Sequence, residues 1–260
     1  MIESLNSPHI ARVKALVGSR GSKERKSKNQ FVAEGLQCIR EALTSLGGPE
    51  IETLYVTTKA IGKVEKIADL NQFNVIDVSY EVMQEMSETI TPQGILAVCT
   101  IPQHNIDSIP LTGSRRFIYL CQLQDPGNAG TILRSADAFG MDAVITSPGS
   151  VDMYSPKVVR STAGSLWHIP VFEGVVLEDL LHSGIHAFAL GATGKTTLNQ
   201  YSVTGDIVAV FGNEARGLSS VQSMAPLDVV SIPMPGDAES LNLSAAASIV
   251  MYHLSNMPTS

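Results

Sequence analysis

Apolar and polar residues alternate along this chain with two different periods, which predicts helices interleaved with strands. Among the first hundred residues, apolar positions recur three and four apart in SPHIARVKALV (7–17) and LQCIREALTSL (36–46), as in amphipathic helices. Short apolar runs predict strands at 51–57, 73–78 and 94–101, with helical segments at 59–70 and 79–87. The alternation predicts a small α/β domain.

A second series begins with RFIYLCQLQ (116–124), a continuous apolar run that suits a parallel strand buried on both faces. Further strand-like runs lie at 142–147, 186–192, 206–212 and 227–234. Each is followed by a loop and then by a stretch that can form a helix. The pattern predicts a mostly parallel sheet whose ligand loops lie at the carboxyl ends of the strands.

The two series are separated by residues 101–114, which hold two prolines and show little periodicity. We therefore expect two domains, residues 1–100 and 115–260, joined by this linker. At 260 residues and 44% hydrophobic composition, the chain is long enough for two modest cores.

The net charge of −7 conceals a basic N-terminal segment. The first 30 residues hold seven Lys or Arg and two Glu, a net charge of +5, which leaves −12 for the remainder. Residues 18–30 contain no apolar side chain and predict a mobile basic loop that orders on a polyanion. A solvated charged loop is the alternative. The basic residues predicted to contact a polyanion are Arg12, Arg20, Lys23, Arg25, Lys26 and Lys28.

The sequence shows no pattern typical of a signal peptide, a membrane span or a disulfide framework. No run of 18 apolar residues occurs, and MIESLNSPHI lacks the basic-then-apolar order of a signal peptide. The three cysteines have no C-x-x-C spacing, so we expect buried thiols, with no disulfide framework and no metal site. These features predict a soluble cytoplasmic protein.

Three strand-to-helix junctions carry polar residues where a ligand would lie. They are LQDPGNAGTILRSADAFG (123–140), AVFGNEARGLS (209–219) and SIPMPGDAESLNLSAAASIVMYHL (231–254). Glycines and a helix N-terminus in the first junction let backbone amides approach an anion, and Arg134 adds a planar donor fork. The alternative is structural: Asn128, Ser240 or Asn242 caps a helix, and Arg134 faces solvent.

A fourth segment, GATGKTT (191–197), resembles a phosphate-binding loop. That motif requires glycine at position 189, where this chain has Ala189, and the residues after Lys195 are poor helix formers. A nucleotide-hydrolysing enzyme is therefore disfavoured.

Taken together, N-A-G-T-I-L-R, F-G-N-E-A-R-G-L and I-P-M-x-G-x-x-x-S-L-N-L-S-x-A resemble the three signature motifs of the SpoU-type (SPOUT superfamily, TrmH-like) RNA ribose 2′-O-methyltransferases. The resemblance covers about 114–256. The part before it looks like the ribosomal-protein-like α/β substrate-binding domain that often precedes this catalytic domain. The resemblance implies an α/β fold with a deep trefoil knot in the C-terminal domain, working as a homodimer.

The resemblance also implies a cofactor, S-adenosylmethionine, and site residues. Those implied for catalysis and the RNA site are Asn128, Arg134, Glu214, Ser240 and Asn242. Those implied for cofactor binding are Gly191, Ala192, Gly212, Asn213, Ile232, Met234 and Leu241. The basic N-terminal residues would then contact RNA.

RNA is the implied substrate, because the 2′-hydroxyl that distinguishes it from DNA is the group methylated. Family accounts make Arg134 the base, but a guanidinium stays charged, so we prefer phosphate binding and stabilisation of a developing alkoxide. Ribosomal RNA, the 23S molecule above all, is favoured over transfer RNA. The alternative from another class is a noncatalytic RNA-binding protein on the same fold.

Overall fold

The computed structural model describes residues 1–104, 114–182, 185–213 and 227–257. Contacts divide the chain into two compact units, Met1–Gln103 with Asp152–His168, and His104–Val151 with Ile169–Ser260. Much of the predicted linker, residues 105–113, lies outside the described residues. No helix in the described ranges is long and apolar enough to cross a membrane.

The first unit is built on a four-stranded sheet. Its strands are Gln30–Glu34 (β1), Ile51–Thr57 (β2), Val75–Val78 (β3) and Ile95–Thr100 (β4). Their order is β1-β4-β2-β3, in which β2 and β3 are parallel and β4 is antiparallel to both of its neighbours. The three strands predicted from the apolar runs are confirmed, with slightly shorter ends for the second and third.

Five helices from residues 1–104 accompany this sheet: Pro8–Val17 (α1), Gly21–Lys28 (α2), Leu36–Thr44 (α3), Thr58–Val64 (α4) and Tyr80–Met86 (α5). Helix α1 begins as its sequence predicts, because Ser7 Oγ accepts a hydrogen bond from the His9 amide at 3.3 Å. Its apolar residues Ile10, Val13 and Leu16 are buried against the sheet.

Helix α2 contradicts the prediction of a mobile loop at 18–30. Its Arg25 is only 5% exposed: Nε and Nη2 donate to one oxygen of Asp152 at 2.9 and 2.8 Å, and Nη1 donates to the Leu16 carbonyl. Gly21 lies so close to Leu16 that a side chain would collide there. The helix is therefore stabilised by a buried ion pair that hydropathy does not report. Arg25 is corrected from an RNA contact to a structural residue.

The second unit contains a seven-stranded sheet. Its strands are Arg116–Leu120 (β5), Ala143–Thr146 (β6), Val171–Phe172 (β7), His186–Leu190 (β8), Thr196–Thr197 (β9), Ile207–Phe211 (β10) and Asp228–Ser231 (β11). The order is β7-β6-β5-β10-β8-β11-β9, and every pair with an assigned register is parallel. The predicted parallel sheet is confirmed. Strands β7 and β9 were not predicted because two residues are too short to show a period.

Within the described ranges after residue 114, the helices are Pro126–Ala138 (α6), Pro156–Ser161 (α7), Leu177–His182 (α8) and Leu243–Ser255 (α9). Helices α6 and α9 pack together in the second unit, where Ser135 Oγ and Ser248 Oγ are 2.8 Å apart. Both were predicted, whereas α8 was not.

Residues 152–168, which carry α7, belong to the first unit although the sequence around them forms the second. The ring centroids of Tyr154 and Trp167 are 5.1 and 5.9 Å from that of Phe31 in β1. Trp167 Nε1 also donates to the Pro49 carbonyl at 3.0 Å. The chain therefore passes between the units at three places rather than through a single linker.

We predict that Arg25→Ala destabilises the protein by about 3–5 kcal/mol, because it leaves a carboxylate of low exposure without its guanidinium. The Asp152 side chain is only 13% exposed. Urea unfolding measures the effect.

The control is Lys26→Ala, one residue along and exposed, which should change the unfolding free energy by no more than about 0.5 kcal/mol. Equal unfolding midpoints for the two variants would contradict the structural role of Arg25.

Candidate active site at the carboxyl ends of the parallel strands

A cavity of about 830 Å³ lies in the second unit, where β5, β8, β10 and β11 end. Its walls come from four loops and from the first turns of α6 and α9. The lining residues are Gln124, Asp125, Asn128, Leu190, Gly191, Ala192, Thr193, Phe211, Gly212, Asn213, Ile232, Met234, Ser240, Leu241, Asn242, Leu243 and Ala246.

One wall is formed by the loop after β8, which lies against the backbone of β11. The Gly191 amide donates to the Val230 carbonyl at 3.0 Å, and Ser231 Oγ donates to the Gly194 carbonyl at 3.2 Å. A Cβ on Gly194 would lie 2.6 Å from the Val229 carbonyl oxygen, closer than real side chains come. Glycine at this position therefore permits the close approach that shapes the wall.

Another part of the lining depends on Gln122, which follows β5 and has φ of +50°, uncommon for a residue with a Cβ. Its amide donates to Ser147 Oγ at 2.7 Å. Its carbonyl accepts from Asn213 Nδ2 at 2.7 Å and from Gln124 Nε2 at 3.0 Å. Asn213 is only 8% exposed, so its side chain connects the loops after β5 and β10 while the residue lines the cavity.

The N-termini of α6 and α9 meet at this cavity through two asparagines. Asp125 caps α6 by accepting from the Asn128 amide at 2.7 Å, so Asn128 is not the cap. Asn242 caps α9, and its Oδ1 accepts from the Ser244 amide at 2.9 Å. Asn242 Nδ2 also donates to Asn128 Oδ1 at 3.2 Å. The pair fixes the spacing of the two helix starts.

Ser240 and Leu241 precede this cap and present a hydroxyl and an apolar surface to the cavity. Ser240 is exposed and makes no hydrogen bond through its hydroxyl among the residues described. Leu241 is 39% exposed, which is apolar surface that a ligand can cover. With Asn242 acting as the cap, the Ser240 hydroxyl remains for a ligand.

The structure brings together most of the residues implied by the motifs. All seven implied for the cofactor line the cavity, as do Asn128, Ser240 and Asn242. Arg134 does not: it is exposed on α6, six residues after Asn128 and so about 120° around the helix. Glu214 lies outside the described residues.

Several lining residues were not predicted from the sequence. They are Gln124, Asp125, Leu190, Thr193, Phe211, Leu243 and Ala246. Each lies within a few positions of a predicted residue, so the carboxyl ends of the predicted strands were the signal that could have indicated them.

The cavity is largely apolar, with amide and hydroxyl groups at its edges and Asp125 as the carboxylate among its described lining residues. Across the described ranges, no three His, Cys, Asp or Glu side chains are arranged to hold a metal ion. An apolar pocket with a few polar groups at its edges is typical of a small-molecule binding site.

Comparisons with known proteins agree with this geometry. Residues 115–252 match the family model described as SpoU rRNA Methylase family, and residues 10–97 match the MRM3-like substrate binding domain. The 23S rRNA (guanosine(2553)-2′-O)-methyltransferase RlmP of Bacillus subtilis (strain 168) is 31% identical over 89% of this chain and 91% of its own.

Two further similarities extend over almost the whole chain. The 23S rRNA (uridine(2479)-2′-O)-methyltransferase of Streptomyces viridochromogenes is 28% identical over 92% of this chain and 86% of its own. The crystal structure of AdoMet-bound rRNA methyltransferase from Sinorhizobium meliloti has a TM-score of 0.84 at 27% identity, covering 97% of this chain and 96% of that one. The chain belongs to the SpoU rRNA methylase family, which confirms the resemblance of its motifs.

We predict that Gly194→Ala destabilises the second unit by about 1–3 kcal/mol, because the added methyl group forces the loop after β8 away from β11. Urea unfolding, followed by far-ultraviolet circular dichroism, measures the change in the free energy of unfolding.

Gly236→Ala is the matched control, since a Cβ there meets nothing within 4 Å. If both glycine variants unfold at the same urea concentration, the contact between Gly194 and β11 does not constrain the loop.

Proposed function

We propose that this protein transfers a methyl group from S-adenosylmethionine to a ribose 2′-hydroxyl of 23S ribosomal RNA. The observation that carries the proposal is that ten residues implied by the family resemblance, drawn from separate strand ends, line one cavity. The names of RlmP and of the Streptomyces viridochromogenes relative, both 23S rRNA 2′-O-methyltransferases, support ribosomal over transfer RNA.

The cavity residues fit S-adenosylmethionine, which supplies an electrophilic methyl group on a sulfonium. About 830 Å³ falls within the roughly 300–1,000 Å³ of small-molecule pockets. The apolar side chains of Leu190, Phe211 and Ile232 suit the faces of a base, and the backbone around Gly191 and Gly212 suits its polar edges. The name of the AdoMet-bound Sinorhizobium meliloti structure supports the same ligand.

The chain's own part in the reaction is orientation and charge stabilisation. Asn242 donates to Asn128 across the two helix starts, so both side chains are held in place at the cavity, where they can orient a ribose. Ser240 adds a hydroxyl beside them. No described lining residue is His or Cys, and Asp125 is engaged as a cap. We therefore assign Arg134 to phosphate binding and stabilisation of the developing alkoxide, as a donor rather than a base.

We further propose that two copies associate through the C-terminal domain and that each Arg134 serves the cavity of the other copy. Ile249 and Tyr252 on α9 are 40% and 61% exposed, an apolar surface next to α6, which carries Arg134. Covering that surface with a second copy removes apolar area from water. It also explains why an arginine in a motif does not line the cavity of its own chain.

The threading of the chain and the role of the first unit complete the proposal. Strand β11 lies between β8 and β9, both of which precede it in the sequence. This order supports a trefoil knot in the C-terminal domain.

The match of residues 10–97 supports an RNA substrate-binding domain at the N-terminus. Arg20, Lys23, Lys26 and Lys28 are exposed there, while Arg12 pairs with Glu52 at 2.5 Å. Cys38, Cys99 and Cys121 are buried and form no disulfide with one another, which supports a reducing compartment, the cytoplasm.

The decisive test incubates the purified protein with radiolabelled S-adenosylmethionine and unmethylated 23S rRNA transcript. We expect label at one ribose, detected as a linkage resistant to alkali because the 2′-hydroxyl is blocked. Transfer RNA is the parallel substrate, and label there instead would move the proposal to the alternative RNA. RNA binding without transfer to either RNA would favour the noncatalytic alternative.

We predict that Arg134→Ala lowers the single-turnover rate of methyl transfer by about a hundredfold or more, as for loss of an oxyanion donor. Binding of S-adenosylmethionine, measured by calorimetry, should stay unchanged because Arg134 is assigned to the RNA phosphate and the alkoxide and not to the cofactor. Arg134→Lys should recover little, since an ammonium lacks the planar fork. The exposed Arg40→Ala is the control, and a wild-type rate for Arg134→Ala would refute the assignment.

We also predict complementation between inactive variants. Mixing Arg134→Ala with Asn242→Ala chains should restore part of the transfer rate, because one site of each mixed dimer combines an intact cavity with an intact arginine. Light scattering measures the dimer in the same samples. If the mixed dimer forms and stays inactive, Arg134 acts within its own chain.

A further inference from the structure

A second cavity, of about 320 Å³, lies within the first unit at the carboxyl ends of the parallel strands β2 and β3. It is bounded by the start of α4, the start of α5 and the loop that leads into β4. The proposed methyl transfer uses only residues of the second unit and of its motifs. This cavity therefore has no role in the reaction so far described.

The floor of the cavity is fixed by backbone contacts around Gly94. Gly94 has φ of +83°, and a Cβ there would collide with the Thr57 hydroxyl and lie 3.2 Å from the Cβ of Ala60. Its carbonyl accepts from the Thr57 amide at 2.9 Å and from Thr57 Oγ1 at 3.3 Å. Gln93 Oε1 accepts from the Leu36 amide at 2.6 Å. The pocket is therefore preformed.

The rim offers an aromatic ring and a cation. Tyr80 is 46% exposed, whereas Tyr55 and Tyr119 are fully buried. Lys59 is exposed at the same opening, and neither side chain has a hydrogen bond or ion pair within the described part of the chain. Thr58, the residue before Lys59, also lines the pocket and carries a hydroxyl. No carboxylate lines this pocket among the described residues, so an anion meets no like charge there.

These groups match an unstacked nucleotide. Single-stranded RNA is recognised by stacking splayed bases on aromatic side chains and by hydrogen bonds to base edges, with cations on the backbone. Tyr80 supplies the stacking face, Thr58 and the Gln93 amide supply hydrogen bonds, and Lys59 supplies the phosphate contact. A pocket of about 320 Å³ is at the lower end of the small-molecule range, which suits one nucleotide rather than a larger cofactor.

We infer that this pocket binds one unstacked nucleotide of the RNA substrate, separate from the nucleotide that is methylated. The inference rests on the proposed function for the identity of the substrate. It assigns part of RNA recognition to the β2 and β3 ends, rather than to the basic N-terminal segment alone.

The test measures binding of unmethylated 23S rRNA transcript to the full-length protein over a range of salt concentrations. Tyr80→Ala should weaken binding about five- to a hundredfold through loss of base stacking. Tyr80→Phe keeps the ring and should bind within about twofold of the wild type. Lys59→Ala should weaken binding and reduce the log–log salt slope by about 0.7.

Lys63→Ala is the matched control, because Lys63 is exposed on the same helix and does not line the pocket. A second measurement needs no variant: transcript containing 4-thiouridine is irradiated with wild-type protein. We expect a cross-linked peptide that contains Tyr80.

Wild-type affinity for Tyr80→Ala, or no binding of the transcript to the wild type, would overturn the inference. The two proposals fail separately. Tyr80-dependent binding without methyl transfer would refute the proposed function and keep the pocket. Methyl transfer with unchanged affinity and KM for Tyr80→Ala would keep the function and refute the pocket.

Discussion

The close approach of the loop after β8 to the backbone of β11 is the constraint on which the larger cavity depends. Strand β11 is inserted between β8 and β9, so the chain that joins those two strands must pass its end. Gly194 makes the passage possible because a Cβ would lie 2.6–2.7 Å from β11 backbone atoms. The passing loop then leaves Gly191 and its neighbours as one wall of the cavity. A backbone that packs this tightly is rigid, which suits a site that must orient two reactants.

The longer strands of the fold could be predicted from the sequence because burial imposes apolar runs on them, whereas the two-residue strands β7 and β9 could not. Helix α2 could not, because its stability comes from a side chain that hydropathy counts as exposed. Arg25 can be buried because Asp152, far away in sequence, neutralises it and the Leu16 carbonyl accepts a hydrogen bond from its Nη1. A contact between residues so far apart in sequence produces no periodic pattern of apolar residues in the sequence around α2.

For the larger cavity, too, the sequence predicts some features and not others. Motif residues at strand ends converge because the carboxyl ends of parallel strands share one edge of the sheet. Which of the neighbouring polar residues caps a helix, however, depends on the three-dimensional structure. Asp125 and Asn242 act as helix caps, and Asn128 accepts a hydrogen bond from Asn242 rather than capping α6. Arg134 is exposed because of its angular position around α6, and the motif sequence alone does not give that position.

The excursion of residues 152–168 into the first unit has a consequence for how this protein can be divided. Removing residues before 104 would strip Phe31 from Tyr154 and Trp167, and the guanidinium of Arg25 from Asp152. The buried side chains of Val158 and Val159 would meet water as well. A second unit produced by cutting the chain at the predicted linker would therefore expose apolar and charged side chains on its internal segment, residues 152–168. The first unit is compact but is built from two separate lengths of chain, so an exchange of this unit between relatives must carry residues 152–168 along with the N-terminal residues.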